Sequence, residues 1–176
     1  MRGHYVVGVD YNEPKFELDE FMHTDLSRGL PVDEVRRFNV VILADVLEHM
    51  LDPLSLLLQA KDRLAPGGKL LVSLPNAVHW SVRTQVAMGK FEYTNKGIMD
   101  RGHVRFFTEA SARRLFEDAK LSVVSNRSTP VPWENVIPQV VGRFVTDKVE
   151  KADHLLGQLN RNLFAYQHVF ELSADH

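Results

Sequence analysis

Acidic residues follow two short apolar runs in this sequence. Each acid stands where a strand is expected to end, and side chains at such positions often bind ligands. Asp10 closes the run Tyr5–Val9, and Asp45 closes the run Val40–Ala44. Continuous aliphatic and β-branched runs of this length are typical of strands buried on both faces of a parallel sheet. Open α/β sheets bind ligands at the carboxyl ends of their strands, where one carboxylate can accept both hydroxyls of a ribose. Asp10 is therefore either a nucleotide ligand or an ordinary strand-terminating turn residue.

Asp45 also begins a second group of residues that could do chemistry. Asp45, Glu48 and His49 have the i, i+3, i+4 spacing that places side chains on one face of a helix. Two carboxylates and an imidazole could hold a divalent ion there. A capping box explains the same residues, with Asp45 as the N-cap and Glu48 three positions later. Because this explanation suffices, we expect no metal ligand in the chain, and the metal site is the lesser alternative.

The elements that must position these residues alternate between strand and helix. A third apolar run, Lys69–Leu74, follows a helical leucine pattern from Leu54 to Leu64 that stops in the turn sequence Ala-Pro-Gly-Gly. Thr108 is a good N-cap for a further helix. The remaining predicted elements are a strand over Ser122–Asn126, a helix over residues 139–160 and a last strand over Leu163–Leu172. The alternation predicts a single α/β domain over residues 1–176.

The composition narrows the classes of function. Hydrophobic residues make up 44% of the 176 residues and the formal net charge is -2, which predicts a packed core without the basic face that DNA or RNA binding requires. The absence of cysteine excludes a disulfide framework, a thiolate zinc site and a cysteine nucleophile. No apolar run approaches the ~18 residues of a membrane span. We therefore expect a cytoplasmic protein without nucleic-acid or membrane partners.

The ordered motifs between residues 38 and 80 resemble the central half of class I S-adenosylmethionine-dependent methyltransferases. A hydrophobic strand leads into D-V-L-E-H, a D-P step, a leucine-rich helix, P-G-G and a strand that ends in S-L-P-N. Residues 89–94 and 101–108 resemble a bacterial subgroup of this family that is often linked to glycosyltransferases. The resemblance implies a doubly wound, Rossmann-like α/β sheet, mostly parallel with an antiparallel last strand. Asp10 alone would suit a nicotinamide-dependent dehydrogenase equally well, but the ordered motifs argue against that alternative.

The same resemblance implies a cofactor and its contacts. The methyl donor would be S-adenosyl-L-methionine, and the acceptor would be a small molecule or sugar methylated on oxygen or nitrogen. The residues that match the family's cofactor contacts are Asp10 at the ribose, Tyr11, Asp25 and Leu26 at the adenine, and Ala44 and Asp45 near the methionine portion. A turn-capping role is the alternative for Asp25.

The sequence departs from this family at its start. In the related proteins a strand and a glycine-rich loop precede the strand that ends in Asp10, whereas only nine residues precede Asp10 here. We therefore expect the sheet to lack its first strand and helix, with a gap or a partner's strand between Tyr5–Val9 and Val40–Ala44. We also expect that this chain binds the cofactor weakly or not at all. A non-catalytic or partner-dependent methyltransferase-like subunit is the alternative function, and a homo-oligomer or a strand-completing partner is left open.

His103 is the candidate catalytic residue for the reaction that the resemblance implies. Methyl transfer from a sulfonium requires positioning of the acceptor and removal of its proton. Histidine accepts a proton near neutral pH, and His103 lies in a polar segment just before the helix that begins at Thr108. His79 and Tyr93 are lesser candidates for this general base. A structural hydrogen-bonding role is the alternative for His103, because one histidine without a visible partner is weak evidence of catalysis.

Overall fold

The computed structural model describes residues 3–33, 35–132, 148–149, 151–152, 155–157 and 159–174. The strands are β1 (Val7–Asp10), β2 (Glu20–His23), β3 (Phe38–Ala44), β4 (Leu64–Pro75), β5 (Leu121–Thr129) and β6 (Gln167–Ala174). The α-helices that lie fully within these residues are α1 (Pro53–Asp62), α2 (Trp80–Ala87), α3 (Glu109–Asp118) and α4 (Arg161–Phe164). Single-turn 3₁₀ helices span Leu26–Arg28 and Leu47–His49. Among the described residues, no helix has the length and apolarity that a membrane crossing requires.

β3 and β4 are parallel neighbours in a four-stranded sheet whose order is β3-β4-β6-β5. β6 runs antiparallel to both β4 and β5, so the expected sheet with an antiparallel last strand is confirmed. Because β6 opposes both of its neighbours, β3, β4 and β5 all run in one direction. Their carboxyl ends therefore meet at one edge of the sheet, which is where α/β folds place ligands.

β1 does not share that sheet. It pairs in parallel with β2, with Val7 opposite Glu20 and Asp10 opposite His23, in a separate two-stranded sheet. The expectation that Tyr5–Val9 would lie in one sheet with β3 and β4 is therefore wrong, whereas the expected break between β1 and β3 is present within the described residues. β2 has no sequence-based prediction, because its four residues alternate too briefly to give a period-2 signal.

The core lies between the four-stranded sheet and helices α1 and α3. Leu57 of α1, Phe116 of α3 and Phe170 of β6 are fully buried, and the ring centroids of Phe116 and Phe170 are 5.0 Å apart. Alternate residues of β6 are buried, as expected for a strand with one face on a core. Leu47 belongs to the same core, so it anchors the short helix Leu47–His49 against the sheet.

The Ala-Pro-Gly-Gly sequence after α1 does not form the separate turn that it predicts. α1 begins at its N-cap Asp52 and ends at Asp62. β4 then starts at Leu64, and its pairing with β3 jumps from Leu64 to Lys69, so residues 65–68 form a bulge within the strand. A bulge accommodates the left-handed backbone that glycine permits while pairing continues on either side.

The chain between β5 and β6 also differs from the sequence-based expectation. The helix predicted over residues 139–160 lies mostly outside the described residues. The predicted last strand, Leu163–Leu172, is replaced at its start by α4, and β6 begins only at Gln167. The Asn160 side chain accepts from the Leu163 amide at 3.1 Å and caps α4, and this local start signal outweighs the β propensity of the aromatic residues that follow.

A left-handed residue follows α3. Thr108 caps the start of this helix in a capping box with Ser111, which confirms the predicted N-cap, and Lys120 beyond its C-terminus has a φ of +55°. Glycine adopts this conformation without strain, so we expect Lys120→Gly to raise the free energy of unfolding by about 0.5–1 kcal/mol in urea unfolding. Lys120→Ala is the matched control because it keeps the Cβ atom. An equal gain in both variants would exclude the backbone geometry as the cause.

His168 makes the stability of the fold depend on pH. It is buried in β6, neither ring nitrogen has a hydrogen-bond partner within the described residues, and burial lowers its pKa below the usual 6.5. The unfolded chain takes up a proton more readily than the folded chain, so this contribution to stability is complete above the usual pKa and is lost as the pH falls. We expect His168→Leu to reduce the loss of unfolding free energy between about pH 7 and about pH 5. Exposed His4→Leu is the control, and an unchanged pH dependence in His168→Leu would contradict this assignment.

Candidate functional site

The backbone turns sharply at the carboxyl end of β3, where Asp45 has a positive φ of 52°. This conformation costs a non-glycine residue roughly 1 kcal/mol, which side-chain bonds offset. Asp45 Oδ1 accepts from Ser73 Oγ and from Gln167 Nε2, each at 2.9 Å, and Ser73 Oγ accepts from the Asp45 amide at 3.0 Å. Asp45 therefore joins the ends of β3, β4 and β6 at one edge of the sheet.

The capping box predicted for Asp45 and Glu48 is absent. Val46 is the N-cap of the short helix Leu47–His49, and it makes no side-chain cap bond. The Asp45 carboxylate instead binds partners on β4 and β6. The capping-box interpretation of Asp45 and Glu48 is therefore wrong, because contacts with distant residues hold the Asp45 side chain away from the helix start.

Glu48 is a buried carboxylate without a hydrogen-bond partner. It is 1% exposed, and neither side-chain oxygen is bonded within the described residues. Burial raises the pKa of Glu48 to about 7, and the charge of Asp45 acts in the same direction. An unpaired carboxylate is costly in such a place because nothing replaces the water that it loses. Glu48 would therefore gain from a bound proton or a bound cation.

Backbone hydrogen bonds hold residues 102–105 against the short helix that carries Glu48. The amides of Val104 and Arg105 donate to the Glu48 carbonyl at 2.9 and 3.1 Å. The Arg105 guanidinium also donates to two carbonyls just beyond that helix. These contacts bring His103 beside Glu48.

His103 and His49 have defined ring orientations next to Glu48. His103 Nδ1 donates to the Ile98 carbonyl at 2.9 Å, and His49 Nδ1 donates to the Gly102 carbonyl at 2.9 Å. A carbonyl can only accept, so each neutral ring carries its proton on Nδ1 and keeps a lone pair on Nε2. His103 Nε2 lies 4.0 Å from Glu48 Oε1, and the centroids of the two imidazole rings are 4.8 Å apart. The three side chains therefore converge, although only two of them are neighbours in sequence.

The three side chains line a small cavity at the carboxyl edge of the sheet. Its volume is about 140 Å³. Asp45, Asp100, Tyr166 and Gln167 contribute further side chains to its wall. The lining contains three carboxylates and no lysine or arginine, so its potential favours a cation.

A second, more open groove meets this cavity at His103. The groove has a volume of about 560 Å³ and is lined by Glu92, Tyr93, Arg101 and His103. Its size lies within the range of small-molecule sites. His79, a lesser candidate base, caps α2 through Nδ1 and does not line the groove. Tyr93 lines it, as does His103, so these two candidates remain close to a site where an acceptor could bind.

Asp10 and Tyr11 lie at the carboxyl end of β1, the position that the sequence predicts for them. Asp10 Oδ1 accepts from the Asn12 amide at 2.7 Å, which is a turn contact. Its Oδ2 has no hydrogen bond within the described residues, so the turn role and a ligand role are compatible. The Tyr11 side chain is 68% exposed, with its ring centroid 5.4 Å from that of His23 at the end of β2.

The other predicted cofactor contacts lie at the start of the short helix Leu26–Arg28 and at the end of β3. Asp25 Oδ1 accepts from the Ser27 amide at 2.9 Å and caps the short helix that begins at Leu26, and its bonds with Ser27 lower the pKa of Asp25. The capping alternative for Asp25 is thus present. Ala44 is the exposed last residue of β3. Of the six predicted contacts, only Asp45 lines the strand-end cavity.

Two residues of this edge have no sequence-based prediction. Asn76 is buried, its Nδ2 donates to the Ala165 carbonyl at 2.8 Å and its Oδ1 accepts from the Val78 amide at 3.1 Å, so it ties the end of β4 to the start of β6. Tyr166 packs close to Gly97, where an added Cβ would lie 2.7 Å from the Tyr166 hydroxyl. The S-L-P-N motif contains Asn76 and was the available signal, and Tyr166 lies in residues 163–167, which resemble the segment that enters the last strand of related methyltransferases.

The sequence matches a family described as a methyltransferase domain over residues 2–126. The chain belongs to this methyltransferase family. The class I, S-adenosylmethionine-dependent character expected from the D-V-L-E-H to S-L-P-N motifs is confirmed, and the cofactor of this methyltransferase is S-adenosyl-L-methionine. Among curated proteins no sequence match is found. The link to glycosyltransferases stays a prediction.

Solved methyltransferase structures share the fold. An S-adenosylmethionine-dependent methyltransferase from Archaeoglobus fulgidus is 16% identical, with a TM-score of 0.57 over 94% of this chain and 74% of that chain. The 1,6-didemethyltoxoflavin-N1-methyltransferase of Burkholderia thailandensis is 16% identical, with a TM-score of 0.58 over 98% of this chain and 63% of that chain. A Haloferax volcanii methyltransferase in complex with its activator Trm112 is 20% identical, with a TM-score of 0.56 over 97% and 71% of the two chains. This methyltransferase thus spans 63% to 74% of the length of these structures.

Proposed function

We propose that this methyltransferase transfers a methyl group to an oxygen or nitrogen of a small-molecule or sugar acceptor in the groove beside His103. The observation that carries the proposal is the position of His103, which lines both the strand-end cavity and the groove. S-Adenosyl-L-methionine supplies the methyl group on a reactive sulfonium centre. The protein's own task is to place the acceptor in line and to promote the loss of the acceptor's proton.

The end of β1 fits the ribose of the cofactor. Asp10 is exposed at the carboxyl end of a parallel strand, and its Oδ2 has no bond within the described part of the chain. A carboxylate in this position can accept from ribose hydroxyls, and the exposed ring of Tyr11 can cover an adenine. The proposed cofactor contacts are Asp10, Tyr11, Asp25, Leu26, Ala44 and Asp45.

His103 is the proposed catalytic residue. It is 9% exposed, and its bond to the Ile98 carbonyl fixes the ring so that the Nε2 lone pair is retained at the junction of cavity and groove. A lone pair there can activate an acceptor hydroxyl by taking its proton, or by holding a cation that lowers the pKa of the hydroxyl. Both routes require the same ring orientation.

The groove favours a small acceptor with a flat apolar face and polar groups. Tyr93 lines the groove and is exposed, and Phe91, outside the lining, packs edge to face against it with ring centroids 5.8 Å apart. An exposed aromatic ring offers a surface on which planar molecules and sugars pack. Glu92 and Arg101 add one charge of each sign. The similar Burkholderia thailandensis enzyme was solved with the small molecule 1,6-didemethyltoxoflavin bound, which supports an acceptor of this size class.

Two measurements test the proposed function. Calorimetry with S-adenosyl-L-homocysteine should show one binding site, and radiolabelled methyl from S-adenosyl-L-methionine should appear in at least one member of a panel of sugars and small hydroxyl or amine compounds. Tyr93→Ala should raise the acceptor KM, whereas Trp80→Ala, a comparably exposed aromatic residue outside the groove lining, should not. Cofactor binding without any labelled product would contradict the proposal. Activity only after addition of a partner protein, as the Haloferax volcanii complex suggests for its own methyltransferase, would favour the partner-dependent alternative.

A further inference from the structure

Glu48, His49 and His103 supply one carboxylate and two imidazoles at a single point. One donor atom of each residue lies within 4.8 Å of the other two. Donors that share a metal ion at about 2.1 Å lie about 3–4 Å from one another, so side-chain movements of under about 1 Å would bring all three into a coordination shell. The set therefore has the spacing of a metal site that needs only small adjustments.

The buried carboxylate gives a second, independent reason to expect a cation here. Glu48 is 1% exposed, and neither of its oxygens has a hydrogen bond within the described residues. Its nearest basic atom, His103 Nε2, is 4.0 Å away, which is too long for a hydrogen bond. Buried polar groups are nearly always partnered, and an ion is one of the few explanations for an exception.

The two histidines make the kind of hydrogen bond that metal-binding histidines usually make. Both rings donate from Nδ1 to a backbone carbonyl at 2.9 Å, through Ile98 for His103 and through Gly102 for His49. These two hydrogen bonds fix the tautomer of each ring and leave its Nε2 lone pair free to coordinate an ion. The rings are therefore oriented before any ion arrives.

The charge of the surroundings also favours a cation. Asp45 and Asp100 lie in the same cavity wall as Glu48, and no lysine or arginine lines it. Arg105 is engaged with backbone carbonyls, and Arg101 lines the adjoining groove and not the cavity. The cavity lining thus concentrates negative charge without a lysine or arginine to neutralise it.

We propose that Glu48, His49 and His103 bind one divalent transition-metal ion of the zinc type, which activates the acceptor hydroxyl. Imidazole donors select Zn²⁺ and Co²⁺ over Mg²⁺ and Ca²⁺, which prefer oxygen ligands. Three protein ligands leave coordination positions open for an acceptor oxygen. The role of the ion rests on the proposed function, whereas its binding does not. The proposal departs from the sequence-based expectation of no metal ligand, which depended on a capping box that the structure does not form.

Metal binding can be measured without any assay of activity. Chelator-treated protein should bind one Zn²⁺ per chain in calorimetry, and Co²⁺ should give visible absorption bands. Glu48→Gln, His49→Ala and His103→Ala should each weaken Zn²⁺ binding roughly 100-fold or more, because even the loss of an outer-shell partner costs about 10- to 100-fold. Glu117→Gln and His4→Ala are matched exposed controls that should bind Zn²⁺ unchanged. Mg²⁺ should bind much more weakly than Zn²⁺.

The outcomes separate this proposal from the proposed function. Zn²⁺ binding that is equally strong in the three ligand variants, or absent from the parent chain, would overturn the metal site. Circular dichroism checks folding, and His49→Ala keeps the test valid because His49 is exposed and outside the core. Ligand-dependent Zn²⁺ binding in a chain that never transfers methyl groups would support the site and overturn the function. Full activity in chelator-treated protein would support the function and overturn the ion's role.

Discussion

Replacement of His103 by alanine is expected to reduce turnover by about 100-fold or more while leaving the affinity for S-adenosyl-L-homocysteine nearly unchanged. The variant removes the Nε2 lone pair at the junction of cavity and groove, and this loss stops activation of the acceptor whether the lone pair takes a proton or holds a cation. None of the proposed cofactor contacts is bonded to His103. Initial rates of methyl transfer give kcat, and calorimetry gives the dissociation constant of the cofactor product.

The control for this variant is His4→Ala, which removes an exposed histidine that is not part of the groove lining. Unchanged turnover in His103→Ala would assign His103 to the structure of the 97–107 segment alone. An equal loss of cofactor affinity would mean that His103 supports the cofactor pocket and not the acceptor step.

Replacement of Asp10 by alanine is expected to weaken S-adenosyl-L-homocysteine binding by about 1.5–3 kcal/mol, which corresponds to a roughly 10- to 160-fold higher dissociation constant. The physical reason is the loss of a charged acceptor for ribose hydroxyls at the end of β1. The ratio of dissociation constants for the parent and variant chains measures this effect whatever the absolute affinity. The dissociation constant of Asp10→Asn should lie between those of the parent chain and Asp10→Ala, because an amide oxygen still accepts a hydrogen bond but carries no charge.

Glu13→Ala provides the comparison for Asp10, since Glu13 is an exposed acid a few residues away. If both variants lose the same affinity, the cause is general charge and not a specific contact. If Asp10→Ala binds as well as the parent chain, the bond from Asp10 to the Asn12 amide is its whole role and the ribose assignment is wrong.

The features that the sequence predicts best are those with a local cause. The apolar run Val40–Ala44 lies within β3, and Lys69–Leu74 lies within β4, because β-branched and aliphatic side chains favour strands. The expectation that both faces are buried is wrong for β3, because Val40 and Ile42 are 49% and 63% exposed on this edge strand of the four-stranded sheet. Thr108 caps α3 as expected, because its partner in the capping box is only three residues away. The sequence does not predict β2 or α4, because each segment is too short to show a periodic pattern of apolar residues.

The candidate site was less predictable because distant parts of the chain assemble it. Glu48 and His103 meet only because two amides after His103 bond to the Glu48 carbonyl. Asp45 was assigned to a helix cap on local spacing, but Ser73 and Gln167 hold its carboxylate. No pattern in the sequence reports that Glu48 is buried without a partner, since a glutamate beside a histidine is usually exposed. The sequence therefore groups Glu48 with His49 by spacing and selects His103 by residue type, whereas the meeting of all three side chains required coordinates.

The position of β6 sets the order in which the nascent chain can assemble. β6 lies between β4 and β5, although both precede it in sequence. A ribosome therefore releases β4 and β5 before the strand that joins them has been made, and their edges stay open to other chains until β6 leaves the exit tunnel. Gln167, the first residue of β6, also supplies a bond to Asp45. The strand-end cavity is thus completed only after Glu48, His49 and His103 have all emerged from the ribosome.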